Sequence, residues 1–197
     1  MSNELKPFQI LEPDSIQRAF ALYNRETGIS RDRTLRDHYS GIESIALMQS
    51  VPESVREQFD AARNLLPHSW FVYSFIPIAQ LHAFSSVEYA IRIKSGKPLM
   101  LTAGLELAIK EQWIKDRGFR HYNINVRHDV LEEDTPPAES PDAKDIQAYC
   151  KILLDSFPYL RNELAHGNPM TYPGGLDLFA ICADVINQLF DGTLEKK

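Results

Sequence analysis

The sequence predicts an all-α helical bundle, with kinked long helices and one long acidic loop. Three observations carry this reading. Apolar residues recur at three- and four-residue spacing along most of the 197 residues. Pro and Gly punctuate these periodic stretches in the way helix ends require. One stretch, from Phe119 to Ser140, loses the period and carries Pro136-Pro137 with Glu132, Glu133 and Asp134. Residues 1–197 read as a single domain, with residues 1–50 as an appended helical pair.

The elements follow in order. Asp14 with Gln17 three residues later resembles a capping box. It opens a helix with an inward stripe of Ile16, Ala19, Phe20, Leu22 and Tyr23, ending near Thr27-Gly28. Arg25, Arg31, Arg33 and Arg36 come next, interrupted by Asp32 and Asp37; such mixed charge reads as a solvated face rather than a nucleic-acid patch. A second helix covers Arg36 to Gln49. Val51-Pro52-Glu53 starts a third, with Val55, Phe59, Ala62 and Leu66 inward, and Pro67 stops it.

Ser69 to Ser95 is apolar nearly all round in its first half, as a central bundle helix is. Pro77 is expected to kink it, and Gly96 to cap it. Leu101, Leu105, Ala108, Ile109 and Trp113 mark a fifth helix. Phe119 to Ser140 reads as a loop, and the alternation over Tyr122–Val126 within it is too brief to define a strand. Ser140-Pro141 then opens a helix containing Ile146, Tyr149, Cys150, Leu153 and Leu154, kinked or restarted at Pro158 and closed by His166-Gly167. Leu178, Ile181, Cys182, Val185, Ile186 and Leu189 form the stripe of the last helix.

Composition excludes several classes. Apolar residues at 44% and charged residues at 24% belong to a folded globular chain, not a disordered or disulfide-stapled one. The net charge of -6 argues against a protein that coats nucleic acid by bulk electrostatics. Cys150 and Cys182 have no paired spacing and read as buried thiols of a reducing compartment. The leading residues lack a basic and an apolar region, which predicts no signal peptide and a cytoplasmic protein with no membrane role.

Phosphate-loop, HExxH, GxSxG and kinase signatures are absent from the sequence. His121, His128, Asp129, Glu132, Glu133 and Asp134 match no metal spacing, so no metal and no cofactor are expected. His82 reads as a core residue. Glu88 and Arg92, four apart, read as a local helical ion pair.

The segment Tyr159-Leu160-Arg161-Asn162-Glu163-Leu164-Ala165-His166-Gly167 stands apart. At about 100° per residue, Leu153, Phe157, Leu160 and Leu164 face the core. Asn162 and His166 stack on the opposite side, with Arg161 about a quarter turn from the core stripe. Pro158 and Ala165 make that outer side small, which suits a two-fold contact between copies. Arg161 offers a forked permanent cation for phosphate oxygens. His166 offers an imidazole that exchanges protons near neutral pH. Asn162 would orient the imidazole or a phosphate. Together they could cleave RNA without a metal: His166 acting on the 2′-hydroxyl or the leaving oxygen, Arg161 neutralising the phosphorane, and a 2′,3′-cyclic phosphate and 5′-hydroxyl as products. The plain alternative is capping chemistry, with His166 on the last carbonyls and Arg161 paired to a carboxylate of the acidic loop.

Arg161-Asn162-x-x-x-His166 resembles the R-x4–6-H motif of the HEPN superfamily, late in a helical bundle with one more helix behind it. The resemblance is strongest from Ser140 to Phe190. The helix through Glu88 and Arg92 also looks like an earlier core helix of such domains. The resemblance implies a homodimer whose two motifs form one composite site. It implies a metal-independent endoribonuclease of toxin–antitoxin, phage-defence or RNA-processing systems, with Arg161, Asn162 and His166 catalytic and an antitoxin or other protein as partner. It equally implies the other kind of member, a non-catalytic regulatory or interaction protein that binds a nucleotide or a partner protein.

Overall fold

The structure, a computed structural model of the chain, describes residues 12–120, 148–167 and 175–192. Within them lie a two-stranded hairpin, β1 (Ala21–Asn24) and β2 (Ile29–Asp32), and six α-helices. These are α1 (Leu35–Glu43), α2 (Glu53–Leu65), α3 (Phe75–Ser95), α4 (Leu101–Lys110), α5 (Ala148–Ala165) and α6 (Gly175–Leu189). Short 3-10 turns occupy Gln17–Ala19, Pro67–Trp70 and Asp116–Gly118. The helical bundle is as the periodicity predicts.

The first expected helix is instead a hairpin. Its strands are antiparallel, with Tyr23 opposite Ser30 and Asn24 opposite Ile29. Turn chemistry overrides the helical spacing here. The Asn24 Oδ1 accepts the amides of Glu26 and Thr27 at 2.9 and 3.2 Å, and Gly28 takes a left-handed φ of 70°. Leu22 and Tyr23, expected inward, are exposed. Asp14 does not open an α-helix; its Oδ1 accepts the Ile16 amide at 3.1 Å in a tight turn, and Gln17 turns into the interior.

The second helix forms, but it ends at Glu43 rather than at Gln49. Its start is fixed by a reciprocal box. Thr34 Oγ1 accepts the Asp37 amide and Asp37 accepts the Thr34 amide. Both nitrogens of the Arg31 fork donate to Asp37 at 2.7 Å, and this holds the Asp37 carboxyl well below the usual carboxylate range.

The central helix α3 starts at Phe75, not Ser69, because Pro67–Trp70 forms its own 3-10 turn. Pro77 falls in the first turn of α3, where its missing N–H has no helical acceptor to lose. Gly96 caps the other end with φ 66°. This helix packs against α2, α4, α5 and α6. It meets α5 through Phe84 and Phe157, edge to face at 4.9 Å, while α2 meets α6 through Phe59 and Phe179 at 4.6 Å. Helix α4 approaches α3 closely at Gly104, where a Cβ would sit 2.8 Å from Ile91 Cγ2.

Helix α5 runs through Pro158 without interruption. The Asp116 carboxylate accepts the amides of Tyr149 and Cys150 at 3.0 and 2.9 Å, and Asp116 is itself buried. Helix α6 grips the same stretch: Asp184 takes the Arg120 fork, and Gln188 Oε1 accepts the Lys115 amide at 2.8 Å. Cys150 and Cys182 are buried and free. No helix among the described residues is long and apolar enough to cross a membrane.

Candidate functional site

The site is built on α5 and α3. Leu153 and Phe157 are buried and Leu160 and Leu164 are half-buried, so the core stripe of α5 faces as its spacing predicts. That orientation carries Arg161 to the edge of the core, on the side of α3. There the Arg161 Nε donates to Glu88 Oε1 at 3.2 Å. The second oxygen of Glu88 accepts from Arg92 Nη2 at 3.3 Å. Arg92 is steadied in turn by its Nε–H on the Leu99 carbonyl at 2.8 Å, and it lies 3.8 Å from the Met100 sulfur.

Glu88 is 7% exposed, so it is a buried carboxylate shared by two guanidiniums. Two guanidiniums share this one carboxylate, and both Arg161 and Arg92 are partly open to solvent. An anion with several oxygens suits that arrangement.

Asn162 and His166 are exposed. Arg161 Nη1 lies 3.5 Å from Asn162 Oδ1, a long contact. His166 closes the helix through its backbone, its N–H on the Asn162 carbonyl at 2.9 Å, and Gly167 follows with φ 78°. The imidazole has no hydrogen-bond partner among the described residues. Arg161 and His166 are five residues apart, about 140° around the helix axis. The chain therefore unites Arg161 with Glu88 and Arg92, and leaves His166 pointing elsewhere.

Two expectations change. The outer face of α5 is not uniformly small. Ala165 is exposed, but Tyr159 and Ile152 also stand out at 58% and 61% exposure, and Tyr159 falls nearly in line with His166. Part of the capping alternative also differs: the His166 ring bonds none of the described carbonyls. Among the described residues Arg161 pairs with Glu88 of α3, and the acidic loop expected to pair with it lies outside them.

Sequence reasoning treated Glu88 as half of a local pair and missed its second partner. The available signal was a carboxylate set among Phe84, Val87 and Ile91 on a buried stripe. Such a group needs more than one exposed arginine to remain charged there. The acidic group at 128–134, His121 and the brief alternation over 122–126 lie outside the described residues. Among the described residues no group of His, Cys, Asp and Glu could hold a metal ion. His82, expected in the core, is half-buried. No family model, curated protein or solved structure matches the chain.

Proposed function

We propose that the protein is a HEPN-like, metal-independent endoribonuclease whose site is completed by a second copy of the chain. The observation that carries this is the fixed guanidinium pair, Arg161 and Arg92 on one buried Glu88. It supplies a preorganised cation for a phosphodiester. The angular separation of Arg161 and His166 supports the need for a partner. A neighbouring copy approaching the outer side of α5 brings its imidazole to the phosphate that this copy holds.

The chemistry balances without a cofactor. His166 takes the proton of the 2′-hydroxyl as that oxygen attacks phosphorus. The bond from phosphorus to the 5′-oxygen breaks, the leaving oxygen takes a proton from water, and His166 returns the proton it took to solvent. Arg161 and Arg92 meet the charge of the phosphorane, and Asn162 orients the imidazole or a phosphate oxygen.

The test compares wild type, Arg161→Ala and His166→Ala on structured and unstructured RNA in excess EDTA, with light scattering on each. The expected result is cyclic-phosphate ends from wild type and none from either variant, all three being dimers. Mixing the two dead variants restores part of the activity, because one of the two Arg161–His166 pairs that the two-fold contact creates is intact in the heterodimer. Absence of cleavage across a broad RNA panel overturns the nuclease reading. The net charge of -6 favours what then remains, a non-catalytic protein that binds a nucleotide or a partner.

A further inference from the structure

The segment before the hairpin and the first half of α1 are bonded to the backbone of residues 66–73. Asp14 donates its amide to the Trp70 carbonyl at 2.9 Å and accepts the Tyr73 amide at 3.2 Å. Gln17 Nε2 donates to the Ser69 carbonyl at 3.2 Å. His38 Nε2 lies 2.8 Å from the Leu66 carbonyl, which also accepts the Ser69 hydroxyl at 2.7 Å. A carbonyl only accepts, so the ring proton sits on Nε2 and Nδ1 carries a bare lone pair.

That lone pair is enclosed. His38 is 1% exposed and Gln17 is 2% exposed, and both His38 Nδ1 and Gln17 Oε1 are buried without a hydrogen-bond partner. Neither therefore bonds the other. The Trp70 ring covers the imidazole at 5.7 Å between centroids.

We propose that His38 is an acid-sensitive latch: a proton taken up at Nδ1 releases the hairpin and the first turn of α1 from the bundle, while α2 to α6 stay packed. An imidazolium in this position needs an acceptor for its second N–H, and among the described residues none bonds Nδ1. Burial disfavours the charged ring; the Leu66 carbonyl favours it, and the nearby Arg33 disfavours it again.

The other titratable groups on the surrounding elements do not offset this. Asp37, next to His38 on α1, is bound to Arg31 and Thr34. Asp14, from the leading segment, holds the Ile16 and Tyr73 amides. His68 of the 3-10 turn is exposed, and Tyr73 follows it with its amide on Asp14.

All eight strand residues are exposed. The far end of α1 is tethered separately, by Arg63 on the Ile42 and Glu43 carbonyls and by buried Ile42 and Ile45.

The sign follows from linkage. The ring binds its proton less readily when docked than when free. Docking is complete above the free value, about pH 6.5, and is lost as pH falls from there toward the lowered docked value.

Hydrogen exchange by mass spectrometry on the full chain, corrected for the intrinsic pH dependence of exchange, tests this between about pH 8 and pH 5, where carboxylates stay ionised. The expected result is loss of protection over residues 14–20 and 35–39 in acid, with α3 and α6 unchanged. His38→Gln keeps a donor for the Leu66 carbonyl and cannot take the proton, so its protection is flat across the range. Arg33→Gln takes a cation away from the docked ring, so the docked state accepts the proton more readily; the acid release weakens and its midpoint moves to lower pH. An acid response that persists in His38→Gln, an unmoved midpoint in Arg33→Gln, or no response in wild type overturns the latch.

Discussion

Glu88 on α3 accepts the Nε–H of Arg161 on α5 at 3.2 Å, and it does so while buried and already bonded to Arg92. One carboxylate thus joins two helices and sets the orientation of the arginine that the sequence singles out. Removing it leaves two guanidiniums facing each other. Glu88→Ala is expected to lower stability by about 1–3 kcal/mol in urea unfolding. Arg92→Ala, which removes a more exposed partner, is expected to lose less than about 1 kcal/mol. Equal losses would mean that Glu88 serves only the local pair.

Asp116 acts as a remote cap, accepting two amides near the start of the described part of α5. Asp116→Ala leaves those donors in a buried position with no acceptor. A loss of about 1–3 kcal/mol is expected. Faster amide exchange at Tyr149 and Cys150, ahead of the rest of α5, would identify the cap as the cause.

Tyr149 should ionise late. Burial, chiefly, and then the charges of Asp184, Cys150, Asp116 and Asp177 push its phenol up to about 12. A raised value means the folded state holds the proton more tightly. The associated stability is full below the free value, about pH 10, and is lost as pH climbs toward the raised one. Absorbance at the tyrosinate band should show a late step that Tyr149→Phe removes.

Both cysteines should be inert in the folded protein. Burial pushes the thiols of Cys150 and Cys182 up, and neither carries a disulfide. A thiol reagent at about pH 8 is expected to leave both untouched until urea unfolds the chain, because the thiolate is the reactive form. Rapid labelling of either in the native state would contradict their placement in the core.

Phe157 meets Phe84 edge to face in the centre of the bundle. Phe157→Ala should lose about 3–5 kcal/mol in denaturant unfolding. The same substitution at Tyr159, two residues on and exposed, should lose less than about 0.5 kcal/mol.

The helices were legible because long amphipathic periods survive tertiary context. The stripes over Val55–Leu66, Leu153–Leu164 and Leu178–Leu189 face inward as read. The hairpin was not legible. Ile16 to Tyr23 has a helical apolar spacing, and only Asn24 and Gly28, which form the turn, argue against it. The start of α3 was misplaced for a similar reason: the apolar run from Trp70 continues through a 3-10 turn that spacing cannot distinguish from helix. For the candidate site, the spacing of Arg161, Asn162 and His166 was readable. The partner of Arg161 was not, since Glu88 is 73 positions away and no local rule connects them.

The close approach at Gly104 has a consequence for how this sequence can vary. A methyl group there would meet Ile91 at 2.8 Å, so the space between α3 and α4 is already filled from one side. Positions 91 and 104 share a fixed volume. In any lineage of this chain, a larger residue at 104 should appear with a smaller one at 91, and the two should change together rather than singly.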